Sequence, residues 1–177
     1  MPHRFWTPVE DWALLDGASK EDVRNHFRNW INTRSVERDG PGADTPNIAD
    51  RVPRYRSYLY IDKEVLQSVS IYEFPDPNHP QGFSVSTSGR VVVIDGQHGD
   101  YRPDQLGFIG DGSGGEQEEE REEYEPIEGN TELDLGWMYA SIDTTEDLYD
   151  LMCEDPDTWV RPYFYKRPPA VWTGDLW

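Results

Sequence analysis

The sequence predicts an α+β fold, in which two N-terminal helices precede a mixed or antiparallel sheet with two short helices. Three observations predict it: an early apolar stripe at helical spacing, later segments rich in β-branched and aromatic residues, and an Ile-Asp pair that ends two of those segments before a short amphipathic stretch. At 177 residues we expect a single domain over residues 1–177. Residues 110–129 differ from the rest in composition, and we expect them to form a flexible acidic insert within that domain.

The N-terminal part of the chain carries signals for two helices. Thr7–Glu10 combines a capping Thr, a Pro in the first helical position and a Glu three residues after the cap, and Gly17 ends the segment. Ser19 begins a second helix that we expect to run to about Arg34. Its apolar positions share one face and are Val23, Phe27, Trp30 and Ile31. Arg24 and Arg28 are assigned to the opposite, polar side.

Four later segments predict strands, namely residues 55–61, 83–94, 135–142 and 160–165, and the second of these breaks at Ser88-Gly89. Asp62 and Asp143 follow the first and third strands and are each expected to cap a short helix. The two strand–cap–helix segments resemble each other, which suggests a split-βαβ, ferredoxin-like arrangement. The alternative is that capping rules make many strand–helix junctions look alike.

Charge is concentrated in one stretch of the chain. The net charge is -19, and residues 101–150 hold 16 of the 35 acids but only Arg102 and Arg121 as bases. The centre of this stretch runs from Gly110 to Pro126, which we call the core of the acidic insert. A field of one sign indicates a partner of the opposite sign, or a solvated loop that only keeps the protein in solution. The candidate partner-binding residues are Glu116, Glu118, Glu119, Glu120, Glu122, Glu123, Tyr124 and Glu125.

Several classes of function have little support in the sequence. Cys153 is the only cysteine, so an intramolecular disulfide and a cysteine-cluster zinc site are both excluded, and its place beside Met152 predicts a buried thiol. The chain lacks a secretory h-region and an apolar run of membrane-spanning length, which predicts a cytoplasmic or nuclear protein that binds no membrane. Lys and Arg are not clustered, which argues against nucleic-acid backbones as direct partners.

These observations favour a non-enzymatic intracellular interaction protein, such as an inhibitor, an immunity-like protein or an adaptor. It would present the acidic insert to a basic protein surface and would need no cofactor or metal. The sequence does not indicate an oligomeric state.

A second hypothesis comes from the order of three short motifs. Arg56, the Ser86-Thr87-Ser88 triplet and the pair Glu118/Glu120, or alternatively Gln117/Glu119, resemble the pattern of the Arg, Ser-Thr-Ser, Glu-x-Glu class of ADP-ribosyltransferases. In that family the Arg and the Ser-Thr-Ser strand hold NAD, and the final Glu stabilises the developing oxocarbenium and orients the acceptor. The resemblance therefore implies a mono-ADP-ribosyltransferase-like, NAD-dependent enzyme as the alternative function.

Two other groups of residues have both a chemical and a structural interpretation. The turn Asp95–Asp100 contains two carboxylates and His98, which suit a divalent metal but are also ordinary turn residues. The C-terminal aromatics are interleaved with Arg161, Lys166 and Arg167 and predict either core packing or an exposed patch. The three basic residues also offer a place where the acidic insert of the same chain is held.

Overall fold

A computed structural model describes residues 8–48, 51–75, 83–99, 124–155, 158–160 and 164–174. The helices are α1 (Trp12–Leu15), α2 (Lys20–Asn32), α3 (Val36–Asp39), α4 (Lys63–Ser68) and α5 (Thr145–Glu154). The strands are β1 (Ser57–Tyr60), β2 (Ser70–Pro75), β3 (Phe83–Ser88), β4 (Arg90–Asp95), β5 (Trp137–Ser141) and β6 (Val171–Trp172). The α+β class predicted from the sequence is confirmed. Within these ranges, no helix combines the length and the apolar character needed to cross a bilayer.

The principal sheet has four strands in the order β1-β4-β5-β6. β4 pairs antiparallel with β1 and with β5, whereas β5 and β6 run parallel. A parallel pair needs a crossover connection, and α5 lies on the one between β5 and β6. β2 and β3 form a separate antiparallel pair. The chain continues differently after the two similar strand–helix segments. After α4 it enters β2, which pairs antiparallel with β3 in the separate sheet, and after α5 it reaches β6, which pairs parallel with β5.

The core surrounds the central strands β4 and β5. Val91–Ile94 are all buried, so β4 is covered on both faces. Large side chains from other elements complete the cluster, among them Leu148, Trp159, Phe164 and Trp172. Burying a side chain of this size contributes about 1.5–3 kcal/mol. The C-terminal aromatics in the described ranges thus serve mainly as core, the first of the two interpretations given above.

Helix α2 begins where the sequence predicts. The Asp22 backbone N–H donates to Ser19 Oγ (3.1 Å) and the Ser19 N–H donates to Asp22 Oδ2 (3.0 Å), which together form a capping box. Phe27 on its inner face packs against Tyr58 of β1, with ring centroids 4.5 Å apart. The assignment of Arg24 to the polar side was wrong, because this arginine is buried.

The two predicted aspartate caps have different outcomes. Asp62 Oδ1 accepts a hydrogen bond from the Val65 N–H (2.8 Å) and caps α4 as expected. Asp143 does not cap α5, because a 3-10 helix over Ile142–Thr144 comes first and Thr144 occupies the cap position without a side-chain bond. Asp143 instead accepts a hydrogen bond from the Ser141 hydroxyl.

The strand predicted over residues 160–165 is wrong at its described residues, and residues 161–163 lie outside the described ranges. Thr158–Val160 is a 3-10 helix, Phe164 lies in a turn, and the strand at this end of the sheet is β6. Phe164 is fully buried, with its ring centroid 5.8 Å from that of Trp172. The apolar character of Phe164 therefore reflects core packing rather than strand pairing.

Candidate functional site

The structure describes only the C-terminal end of the predicted binding segment. Glu116, Glu118, Glu119, Glu120, Glu122 and Glu123 lie outside the described residues. Tyr124 is half-buried and Glu125 is exposed. Beyond them the chain forms a tight turn, in which Ile127 and Asn130 exchange two backbone hydrogen bonds of 3.0 Å. This end of the acidic insert therefore has a defined place in the fold.

Arg167 holds this end of the insert to the rest of the protein. Its Nη2 donates to the Glu125 carbonyl oxygen (2.7 Å) and to the Asn130 carbonyl oxygen (3.3 Å), and its Nη1 donates to the Glu132 carbonyl oxygen (2.7 Å). The guanidinium also lies 5.2 Å from the centroid of the Tyr124 ring. Three backbone carbonyls and one aromatic ring thus converge on a single cation.

The acceptors to which Arg167 donates determine which acidic side chains remain available to a partner. Arg167 binds backbone carbonyl oxygens, and the side chains of Glu125 and Glu132 are exposed. The sequence suggests that basic residues near the C-terminus hold the acidic insert of the same chain. Among the described residues Arg167 makes such a contact, and it binds the Glu125 backbone carbonyl rather than a carboxylate. Arg161 lies outside the described residues.

Acidic residues continue along the sequence beyond the insert. Residues 124–155 contain ten Asp or Glu residues and neither Lys nor Arg. Three of these acids, Asp147, Asp150 and Glu154, are exposed on α5 and line a shallow groove with Leu151, Trp172 and Gly174. Spacings of three, four and seven residues place the three carboxylates on one side of the helix. We call this feature the α5 groove.

The turn after β4 is fixed by two arginines of α2. Arg24 donates from Nε to the Asp95 carbonyl (2.9 Å) and from Nη2 to the Gly136 carbonyl (3.1 Å). Arg28 donates from Nε to the Gly96 carbonyl (2.8 Å) and from Nη2 to the His98 carbonyl (2.7 Å). These contacts dock α2 on the sheet, and sequence reasoning missed them because an arginine on an amphipathic helix is normally read as solvated.

The side chains of this turn serve the fold. Asp95 is buried and its Oδ1 accepts from the Gln97 N–H (2.9 Å), while His98 Nδ1 lies 3.9 Å from Asp134 Oδ2. Asp134 also accepts from the Gly136 N–H (2.7 Å). Within the described ranges no three His, Cys, Asp or Glu side chains are grouped so that they could hold a metal ion, and Asp100 lies outside those ranges.

Two half-buried tyrosines, Tyr165 and Tyr58, are among those whose pKa lies above the ordinary value of 10.0. Burial raises the pKa of Tyr165 to about 12, although the Leu135 N–H that donates to its hydroxyl opposes the shift. The protonated hydroxyl donates to the Trp137 carbonyl (3.2 Å) and thereby bridges the start of β5. Burial also raises the pKa of Tyr58. Both side chains therefore stay neutral at physiological pH.

The structure describes two residues of the ADP-ribosyltransferase pattern, Arg56 and Ser86, and they lie at different sheets. Arg56 is buried immediately before β1, in the four-stranded sheet, whereas Ser86 lies in β3 of the two-stranded sheet. Glu118 and Glu120 lie outside the described residues. The enzyme hypothesis therefore stays a prediction from the sequence.

The solvent exposure of the sole cysteine differs from the prediction made from the sequence. Cys153 is exposed, whereas its position in the sequence predicted a buried thiol. The reason is rotation along α5, because Leu148 points into the core and Cys153 lies five residues later, on another side of the helix.

Comparisons with known proteins give no match to a protein-family model, to a curated protein or to a solved structure.

Proposed function

We propose that this protein is a non-enzymatic interaction module, of the inhibitor, immunity-like or adaptor kind, that binds a basic surface of a partner protein through its acidic insert. The observation that carries the proposal is the anchor at Arg167. It fixes the end of the insert through backbone carbonyls, so Glu125 and Glu132 keep their carboxylates exposed for a partner. We further propose that the protein acts in the cytoplasm or the nucleus.

The concentration of acidic residues determines how partner binding should depend on salt. The predicted binding residues overlap the start of a stretch of ten acids without a Lys or Arg, so negative charge, interrupted at Arg121, extends over both. Such a field attracts a basic surface over a Debye length, about 10 Å at 0.1 M salt and about 3 Å at 1 M. It raises the association rate more than it lengthens the lifetime of the complex. Binding should therefore weaken strongly as salt increases.

The experiment is affinity capture from native lysate at about 0.1 M and about 1 M salt, which screen charge to different degrees. The test variant replaces Glu118, Glu119, Glu120 and Glu122 by Gln. The matched control neutralises an equal number of exposed acids outside the insert and carries E10Q, D16N, E37Q and D44N. Both variants change the net charge equally, so a difference between them reports the position of the charges.

The proposal predicts a basic partner that wild type and the control capture at low salt and that the four-glutamine variant loses. High salt should release the same partner from wild type. A partner that the four-glutamine variant retains at low salt, or that both variants lose to the same extent, would contradict the proposal.

A further inference from the structure

Strand β1 forms one edge of the four-stranded sheet, and its outer side has no partner strand among the described residues. The Arg56 carbonyl accepts a hydrogen bond from the backbone N–H that follows β4 (2.6 Å), and the bonded positions of an antiparallel ladder alternate. Tyr58 and Tyr60 therefore bond to β4, whereas the backbone groups of Ser57 and Leu59 point away from it. In the described part of the chain, Ser57 and Leu59 make no hydrogen bond on that side.

This edge lacks the features by which proteins commonly prevent strand pairing. Edge strands are often protected by a charged residue or a Pro, and β1 contains neither. Ile61, which follows β1 directly, is 57% exposed, and Leu66 of α4 is 65% exposed. Outward backbone groups beside exposed aliphatic side chains are what a further strand requires.

We infer that β1 pairs antiparallel with β1 of a second copy of this chain and joins two sheets across a two-fold axis. The register that engages all the outward backbone groups places Leu59 opposite Leu59 of the second copy and Ser57 opposite Ile61. It also places Tyr58 beside the second copy's Tyr60, as an aromatic cross-strand pair on the other face. Leu59 and Ile61 of both copies then share one face and lose their exposure to water.

The charges on either side of β1 favour a second copy in this register. Arg54 precedes Leu59 by five residues and Glu64 follows it by five, so the two-fold axis brings the Arg54 end of one copy to the Glu64 end of the other. Both side chains keep exposed surface, 31% for Arg54 and 70% for Glu64. Residues 51–66 contain four bases and two acids, whereas the whole chain has a charge of -19. Two copies can therefore meet at this edge without an excess of acids on the paired segments.

The test is sedimentation velocity at protein concentrations from about 10 μM to about 1 mM, which suit the weak dimer expected of a small interface. A reducing agent is present, because the exposed Cys153 would otherwise be free to link two copies. The variant I61K places a charge at the paired edge. Its matched control is L133K, because Leu133 is 53% exposed and precedes β5 instead.

A second pair of variants tests the charges. E64R sets a base against Arg54 of the second copy, and E10R makes the same change of charge at an exposed residue of the N-terminal segment. Thermal unfolding checks that each variant keeps its fold.

We expect wild type, L133K and E10R to form dimers as the concentration rises. I61K and E64R should dimerise at least about tenfold more weakly, because the two-fold axis makes each substitution act twice. Hydrogen exchange at about 1 mM gives an independent readout, in which the Leu59 amide should exchange more slowly in wild type than in I61K. The Tyr58 amide bonds to β4 and should be protected equally in both.

A monomer at every concentration would overturn the inference, as would a dimer that I61K forms as readily as wild type. Equal exchange of the Leu59 amide in wild type and I61K would also overturn it, because the copies would then meet at another surface.

Discussion

Arg24 of α2 contacts Gly136, the residue immediately before β5. Arg24 donates to the Gly136 carbonyl, and Gly136 has a φ of +70°, which L-residues with a side chain rarely adopt. A Cβ at this position would lie 2.6 Å from Arg24 Nη2 and against the ring of His98. Glycine is therefore required here both by the backbone conformation and by the lack of space.

Replacing Gly136 by Ala should lower the free energy of unfolding by about 3 kcal/mol or more, since strain and overpacking add. Gly129→Ala is the matched control, because Gly129 also has a positive φ (+84°) but open space where a Cβ would stand. Its expected cost is about 1–2 kcal/mol, from the backbone alone. Urea denaturation measures both, and equal losses would refute the close packing of Gly136 on Arg24 and His98.

At the scale of elements, the N-terminus of α2 makes stability depend on pH. Hydrogen bonds from the side chain and the backbone of Ser19 lower the pKa of Asp22 below its ordinary value of 3.8. A lowered folded-state pKa means that the ionised carboxylate stabilises the fold above the unfolded-state value. This contribution is lost as the pH falls through the lower, folded-state pKa.

We expect wild type to be more stable than D22N at pH 7 and the difference to disappear below the folded-state pKa of Asp22. Urea denaturation between pH 7 and pH 2 gives the comparison. The S19A background is the control, because removal of the Ser19 hydroxyl should shrink the effect of D22N at pH 7. A difference between wild type and D22N that stays constant with pH would contradict the capping-box geometry.

Substitution of Arg167 separates two effects on partner binding, that of the net charge of the protein and that of the position of the insert. R167Q makes the protein more acidic, so charge alone predicts tighter binding to a basic partner. Loss of the contacts to the Glu125, Asn130 and Glu132 carbonyls should instead free the end of the insert and weaken binding several-fold. The readout is partner affinity at low salt, with thermal unfolding as a check on the fold. Tighter binding by R167Q would show that the anchor has no role.

The helix starts at Ser19 and Asp62 were predictable from local rules, whereas the cap at Asp143 and the features set by distant contacts were not. Ser19 and Asp62 begin helices because a side-chain oxygen meets a backbone N–H three residues later. The segment around Phe164 has the composition of a strand, yet it packs its side chain in the core while Val171–Trp172 pairs with β5. Only the tertiary structure decides between these uses of apolar residues.

On the scale of the whole molecule, the sequence locates the acidic insert but not the α5 groove. Charge counts place 16 acids within residues 101–150. The α5 groove is lined by residues of α5 between 147 and 154 and by Trp172 and Gly174, which come later in the sequence. Trp172 belongs to β6, which pairs parallel with β5. Arg24 was misplaced for a similar reason, because its acceptors belong to Asp95 and Gly136, which are remote in sequence.

The most direct measurement is capture of the partner by a protein in which a Gly/Ser segment of equal length replaces residues 111–123. This exchange keeps Tyr124 and the Arg167 anchor and removes every charge of the insert except those of Glu125 and Glu128. At about 0.1 M salt, where charges act over about 10 Å, we predict that wild type captures a basic protein and that the exchanged protein does not. Capture of the same partner by both would contradict the proposed role of the insert.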